Sequence, residues 1–159
     1  MRNKFGELIS NSLAADPNVW LLTGDLGFGV LNKSREVAPD RALNLGAAEQ
    51  LMVGTAVGLA HNGKIPVCYS ITPFVVFRPY EWIRNYMDHE LAPVKLVGMG
   101  RGQDYGHLGF SHWAEDAERA LSVFPNIKIY QPNSVEELES IWQEFLYNDQ
   151  PAYLNVRRT

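Results

Sequence analysis

Short apolar runs alternate with longer helical ones along the whole chain, and this alternation limits the fold more than any other feature. Val19-Trp20-Leu21-Leu22-Thr23, Ala42-Leu43-Asn44-Leu45, Pro66-Val67-Cys68-Tyr69-Ser70, Val94-Lys95-Leu96-Val97, 127–130 and 152–156 all have strand length. Their apolar residues are continuous rather than alternating, as in strands covered on both faces. Helices are expected over 3–15, from Glu49 through the apolar run Leu51 to Ala60, over 80–91, near 113–123, and from Ser134 to about Tyr147. The first carries Phe5, Leu8, Ile9 and Leu13 on one stripe, and Ser134 with Glu137 reads as a capping box. Strands and helices alternating in this way predict an α/β fold, a three-layer sandwich with a mainly parallel sheet. With 159 residues and no internal repeat or linker, the expectation is one domain over 1–159.

The charge balance narrows the partners. A formal net charge of −4, with basic residues scattered along the chain, argues against a nucleic-acid or anionic-membrane surface. No stretch approaches the length of a membrane span, and Met1 to Glu7 lacks a signal-peptide core. The single cysteine, Cys68, lies outside any metal-ligand spacing and reads as a small buried hydrophobe in a reducing compartment. These features predict a cytoplasmic chain.

Four features bear on chemistry. Glu49 is a lone carboxylate at the head of a helix that is apolar all round from Leu51 to Ala60, so its burial is expected. Buried charge must be paired, and a buried acid otherwise tends to keep its proton. A proton-handling role and a helix-dipole role both fit that position. Gly54 and Gly58, four apart on the same helix, allow close approach of a second helix, from this chain or from a partner. Phe74, Phe77 and Tyr80 recur at three-residue steps, as core or as a slot for a planar ring, with Pro79 interrupting the segment. The glycine-rich loop from Gly98 to Trp113 holds His107 and His112. It fits neither a dinucleotide fingerprint nor a P-loop and reads as a substrate-contact loop or a flexible turn. A metal site there is poorly supported, and no metal ligands are assigned.

In this order the segments resemble the pyrimidine-binding domain of transketolase-type, thiamine-diphosphate-dependent enzymes, a family that includes 1-deoxy-xylulose-5-phosphate synthase. Thr23-Gly24-Asp25-Leu26-Gly27 is similar to that family's turn after the first strand, and Gly46-Ala47-Ala48-Glu49-Gln50 to the segment holding its cofactor-contacting acid. Phe74 to Tyr80 resembles the Phe-x-x-Phe-x-x-Tyr pattern, and Gly109-Phe110-Ser111-His112-Trp113 the Gly-Pro-Thr-His-Gln loop. Phe124-Pro125-Asn126-Ile127 and Gln131-Pro132 are similar to the landmarks that follow.

The resemblance implies thiamine diphosphate as cofactor and a subunit active in ketol transfer or carboligation. It implies Glu49 against a ring nitrogen of the aminopyrimidine, Phe74, Phe77 and Tyr80 lining the ring, and Asp25 near the thiazolium. His112 would serve as a catalytic and substrate-facing group, with His107 and Arg78 also near substrate; for Arg78 an interfacial salt bridge is the alternative.

The family's diphosphate- and Mg²⁺-binding motif, Gly-Asp-Gly followed by Asn, is not matched here, and neither is its C-terminal domain. Pro73, Pro79 and the stretch Tyr105-Gly106-His107-Leu108 also depart from the family pattern. The implied partner is a separate diphosphate-binding, transketolase-like chain carrying Mg²⁺, in an α2β2 heterotetramer with self-association through the Glu49 helix. The chain alone is expected to be inactive. A β-type subunit of a 2-oxo-acid decarboxylase or dehydrogenase, and a non-catalytic interaction module of the same fold, are the alternative readings.

Overall fold

The computed structural model describes residues 1–158. Six strands form one sheet: β1 (Val19–Thr23), β2 (Ala42–Asn44), β3 (Ile65–Ile71), β4 (Lys95–Met99), β5 (Lys128–Tyr130) and β6 (Ala152–Val156). Their order is β2-β1-β3-β4-β6-β5, and every neighbouring pair is parallel. The expected α/β class and parallel sheet are therefore found, and the sheet is parallel throughout.

Parallel neighbours need crossover connections, and the helices supply them on both faces. On one face α1 (Arg2–Ala15), α2 (Asn32–Val37) and α7 (Val135–Tyr147) pack Phe5, Ile9, Leu13, Leu31, Trp142 and Phe145 against Leu21, Val67 and Val97. On the other, α3 (Glu49–His61), α4 (Thr72–Phe77) and α6 (Ala117–Leu121) pack Met52, Val53, Ala56, Val76 and Leu121 against Leu22, Cys68 and Leu96. Strand residues alternate between the two clusters, which is why their sequences run apolar without a break.

Several elements differ from the expectation. α2 has no apolar stripe; its buried member is Ser34, whose hydroxyl pairs with Ser10 Oγ on α1 at 2.8 Å. The segment expected as one helix over 80–91 is a single α turn, α5 (Tyr80–Trp82), which passes into a π-helix over Ile83–His89. The helix near 113–123 shortens to α6, since residues 113–116 are loop and turn, and the glycine-rich loop before them contains two 3₁₀ turns, Gly106–Leu108 and Phe110–His112. The capping box is present but shifted. Ser134 Oγ accepts from the Glu137 amide at 3.1 Å, while Glu137 reaches back to the Asn133 amide at 2.7 Å.

Two polar groups tie the sheet ends. Lys95 is buried at the start of β4, and its ammonium donates to the Asn148 carbonyl at 2.7 Å, to Asn148 Oδ1 at 2.8 Å and to the Gln150 carbonyl at 2.5 Å. Burial pulls its pKa down to about 8. At the opposite end, Arg101 donates to Asn155 Oδ1 at 3.1 Å, to the Pro132 carbonyl at 3.1 Å and to Asn133 Oδ1 at 3.0 Å. Asp104 accepts from the Arg101 and Arg158 amides, each at 3.1 Å. The base of the glycine-rich loop is thus fastened to the exit of β6.

Candidate active site

The chain leaves β1 outward to β2, then crosses back through α3 to β3 on the other side of β1. That reversal opens a crevice beyond the carboxyl ends of β1 and β3, the usual ligand position in an open parallel sheet. Glu49 opens α3 at this point and is 2% exposed. Its Oε1 accepts from Ser70 Oγ at the end of β3, 3.0 Å away, and its Oε2 pairs with Arg78 at 2.7 Å. The cost of burying the carboxyl group is offset by these two partners. Gly24, just past β1, lies against the same carboxylate: a Cβ there would sit 3.0 Å from Glu49 Oε1 and 3.4 Å from Ser70 Oγ.

Arg78 joins the acid to the aromatic segment. Its guanidinium stands 3.7 Å over the Phe74 ring, and its carbonyl accepts from Gln50 Nε2 at 3.2 Å. The Phe74 ring also meets His112 edge-on at 4.9 Å. Glu49, Arg78, Phe74 and His112 therefore form one continuous chain of contacts. Ala47, Ala48, Gln50 and Leu51 border the open depression of about 560 Å³ beside Glu49 and Arg78. His112 Nδ1 pairs with Ser111 Oγ at 3.0 Å.

The other expected residues are placed differently. Asp25 holds a left-handed backbone at φ 57, fixed by reciprocal bonds with Asn44: its amide donates to Asn44 Oδ1 at 2.9 Å, and Asn44 Nδ2 donates to its carboxylate at 3.1 Å. Strain of this kind, held by a neighbour, concentrates at functional sites. Tyr80 does not join Phe74. Its hydroxyl donates to the Ala120 carbonyl at 2.7 Å and its ring packs on Phe124, because the break at Pro79 turns it toward α6. Phe77 ends α4 half-exposed, and His107 lies exposed on the first 3₁₀ turn, 6.4 Å from the Tyr105 ring. Arg78, expected against substrate or an interface, is engaged within its own chain.

Ser70 and Asn44 carry no site signal of their own in the sequence, and Gly24 enters only as a member of the turn over 23–27. Only the pairing of β1 with β2 and β3 brings them to Glu49 and Asp25. Cys68 lies two residues before Ser70, fully buried, and burial pushes its thiol well above the usual range, which suits a packing role. Among the described residues no three His, Cys, Asp or Glu side chains converge as a metal site.

The model of a family described as "Transketolase, pyrimidine binding domain" matches residues 1–159. The chain belongs to the transketolase pyrimidine-binding-domain family. Relatives of this transketolase-type domain include a 33.6 kDa protein of the fasciation locus of Rhodococcoides fascians, 31% identical over 98% of this chain and 50% of that protein. One of the subunits of an apulose-4-phosphate transketolase from Actinobacillus succinogenes is 35% identical over 74% of this chain and 38% of its own length. Among solved structures, a split-gene transketolase described as an inactive beta4 tetramer superposes with a TM-score of 0.85 at 26% identity, covering 99% of this chain and 51% of that one. The present chain spans about half the length, or less, of these relatives. The transketolase-type fold expected from the sequence is therefore the fold observed.

Proposed function

We propose that residues 1–159 are a single pyrimidine-binding unit of a split thiamine-diphosphate-dependent transketolase-like enzyme, active in ketol transfer or carboligation together with a separate diphosphate-binding chain. The observation that carries this reading is the buried Glu49 carboxylate, joined through Arg78 to the Phe74 face, at the sheet's switch point. An aminopyrimidine needs those two surfaces, a carboxyl group that shares a proton with a ring nitrogen and an apolar plane, and glycine at position 24 lets the backbone pass close to the carboxylate. One relative is named as a single subunit of a transketolase and a structural neighbour as split-gene, which supports a divided enzyme.

Bound thiamine diphosphate supplies the electron sink for making and breaking the bond beside a carbonyl. Glu49 would hold the ring nitrogen and exchange a proton at its carboxyl oxygens, and Phe74 would fix the plane of the ring. His112 would move a proton to or from substrate at Nε2. Asp25, pinned by Asn44, borders the same crevice, and Phe77 and His107 lie on the elements around it as outer substrate contacts. Tyr80 acts through the position of α5 rather than against the ring. Diphosphate and Mg²⁺ belong in this reading to the partner chain, in an α2β2 assembly in the cytoplasm.

The test mixes this chain with a candidate partner bearing the Gly-Asp-Gly and Asn motif, thiamine diphosphate and Mg²⁺, and compares ketose donors with pyruvate. Turnover is expected from the mixture and from neither chain alone. Glu49→Gln should abolish turnover while circular dichroism and assembly stay unchanged; full turnover in that variant would sink the proposal.

A further inference from the structure

The Arg78 guanidinium already makes both contacts that the proposed ring would make. It is planar, it lies 3.7 Å from the Phe74 centroid, and it donates to Glu49 Oε2 at 2.7 Å. Guanidinium and aminopyrimidine are alike in shape: each is a flat, nitrogen-bearing group that stacks on an aromatic face and hydrogen-bonds a carboxyl group at its edge, the guanidinium through its own N–H and the ring nitrogen through a proton shared with the acid. The two cannot share one face of Phe74 and one carboxylate oxygen.

The Arg78 side chain is also built to leave. It is 44% exposed while its partner carboxylate is 1% exposed, so its outer side already borders water. Arg78 sits at the end of α4, where Pro79 interrupts the helix, and the Gln50 amide holds its carbonyl at 3.2 Å. The backbone can therefore stay in place while the side chain swings outward.

Resting on the proposed function, we infer that Arg78 is a displaceable plug in the pyrimidine seat. In the free subunit it neutralises Glu49 and covers Phe74; ring binding pushes it out toward solvent. The plug keeps a buried carboxylate from standing alone, a state that is strongly unfavourable. It also lowers apparent ring affinity, because only the fraction of molecules with Arg78 swung out is competent to bind.

The test uses the full chain and the free ring, 4-amino-5-hydroxymethyl-2-methylpyrimidine, as probe. Ring binding to wild type, Arg78→Ala and Arg78→Lys is measured by calorimetry and by thermal shift. The expected order of affinity is Arg78→Ala above Arg78→Lys above wild type, with about a tenfold gain in Arg78→Ala. Low-millimolar guanidinium should raise the melting temperature of Arg78→Ala and not that of wild type, since it refills the vacated seat. In wild type, the Arg78 Nε–H resonance should lose its shielding by the Phe74 ring as the probe is added, a readout that needs no variant to fold. Ring binding to wild type as tightly as to Arg78→Ala would overturn the plug and leave the cofactor reading standing. Guanidinium rescue of Arg78→Ala with no ring binding to any form would overturn both.

Discussion

At Gly24 there is room for a hydrogen atom and little more. A methyl group there would meet Glu49 Oε1 at 3.0 Å, tighter than normal packing, and the carboxylate is boxed in by Ser70 and Arg78. Gly24→Ala is therefore expected to cut turnover of the reconstituted enzyme by about tenfold or more through displacement of Glu49. Stability should change far less, and steady-state kinetics beside a denaturation curve would separate the two. Cys68 provides a pH test. Burial holds its thiol protonated in the folded chain, whereas the unfolded thiol ionises at pH ~8.5. Above that pH the unfolded state binds fewer protons than the folded one, so the thiol's contribution to stability falls as pH rises. The stability difference between wild type and Cys68→Ala should shrink by up to about 1.4 kcal/mol per pH unit there, as read by urea melts from pH 8 to 10. A constant difference would refute it. Glu49 was legible because one charge in an apolar helix stands out. Ser70 and Gly24 were not, since a strand serine and a turn glycine gain meaning only from strand register. Arg78 stood out as a charge in an apolar aromatic segment, but its contacts within the chain did not; the spacing that allows one of them is local, since it lies four residues after Phe74, on the same helical face.

Among the elements, α3 has two faces with different partners. Gly54 faces inward to Trp82, where an added Cβ would lie 3.1 Å from the indole ring, and Trp82 in turn stacks on Tyr86 with centroids 4.6 Å apart. Gly58 meets nothing within 4 Å. The paired glycines, read from the sequence as one contact, thus serve different surroundings. Gly54→Val should push Trp82 aside at a cost of about 1–3 kcal/mol, visible as a red-shifted tryptophan emission and a lower urea midpoint. The same substitution at Gly58 should spare the isolated chain. Helix α7 could be read from its capping box, and α3 from its apolar run. By contrast, α2 escaped because its contact with α1 is a serine pair rather than an apolar stripe. The π-helix escaped for another reason: its buried Ile83 and Met87 lie four apart, as in an α-helix. The 3₁₀ turns fall in a glycine-rich stretch with no apolar period to read.

For the whole molecule, the alternation of strand and helix fixed the class, since continuous apolar strands permit little besides a doubly covered parallel sheet. The strand order and the crevice it opens depend on crossovers that no local pattern records. One exposed surface bears on assembly. Leu51 is 58% exposed on α3 beside Gln50, Gly54, Thr55 and Trp82, an apolar face suited to the proposed self-association. Leu51→Lys should leave the melting temperature within about a degree or two, because surface changes of this kind rarely exceed ~0.5 kcal/mol. It should lower the mass measured by light scattering; an unchanged mass would remove α3 from the interface. The parallel sheet has a consequence in time as well as in space. Leu21 pairs with Val67 only after β2 and α3 have been enclosed, and no hairpin can form first. Refolding should be slow for a chain of this length, because distant pairings must close before they are stabilised. The crevice is then a late product of that closure: recovery of ring binding should follow recovery of the sheet and never precede it.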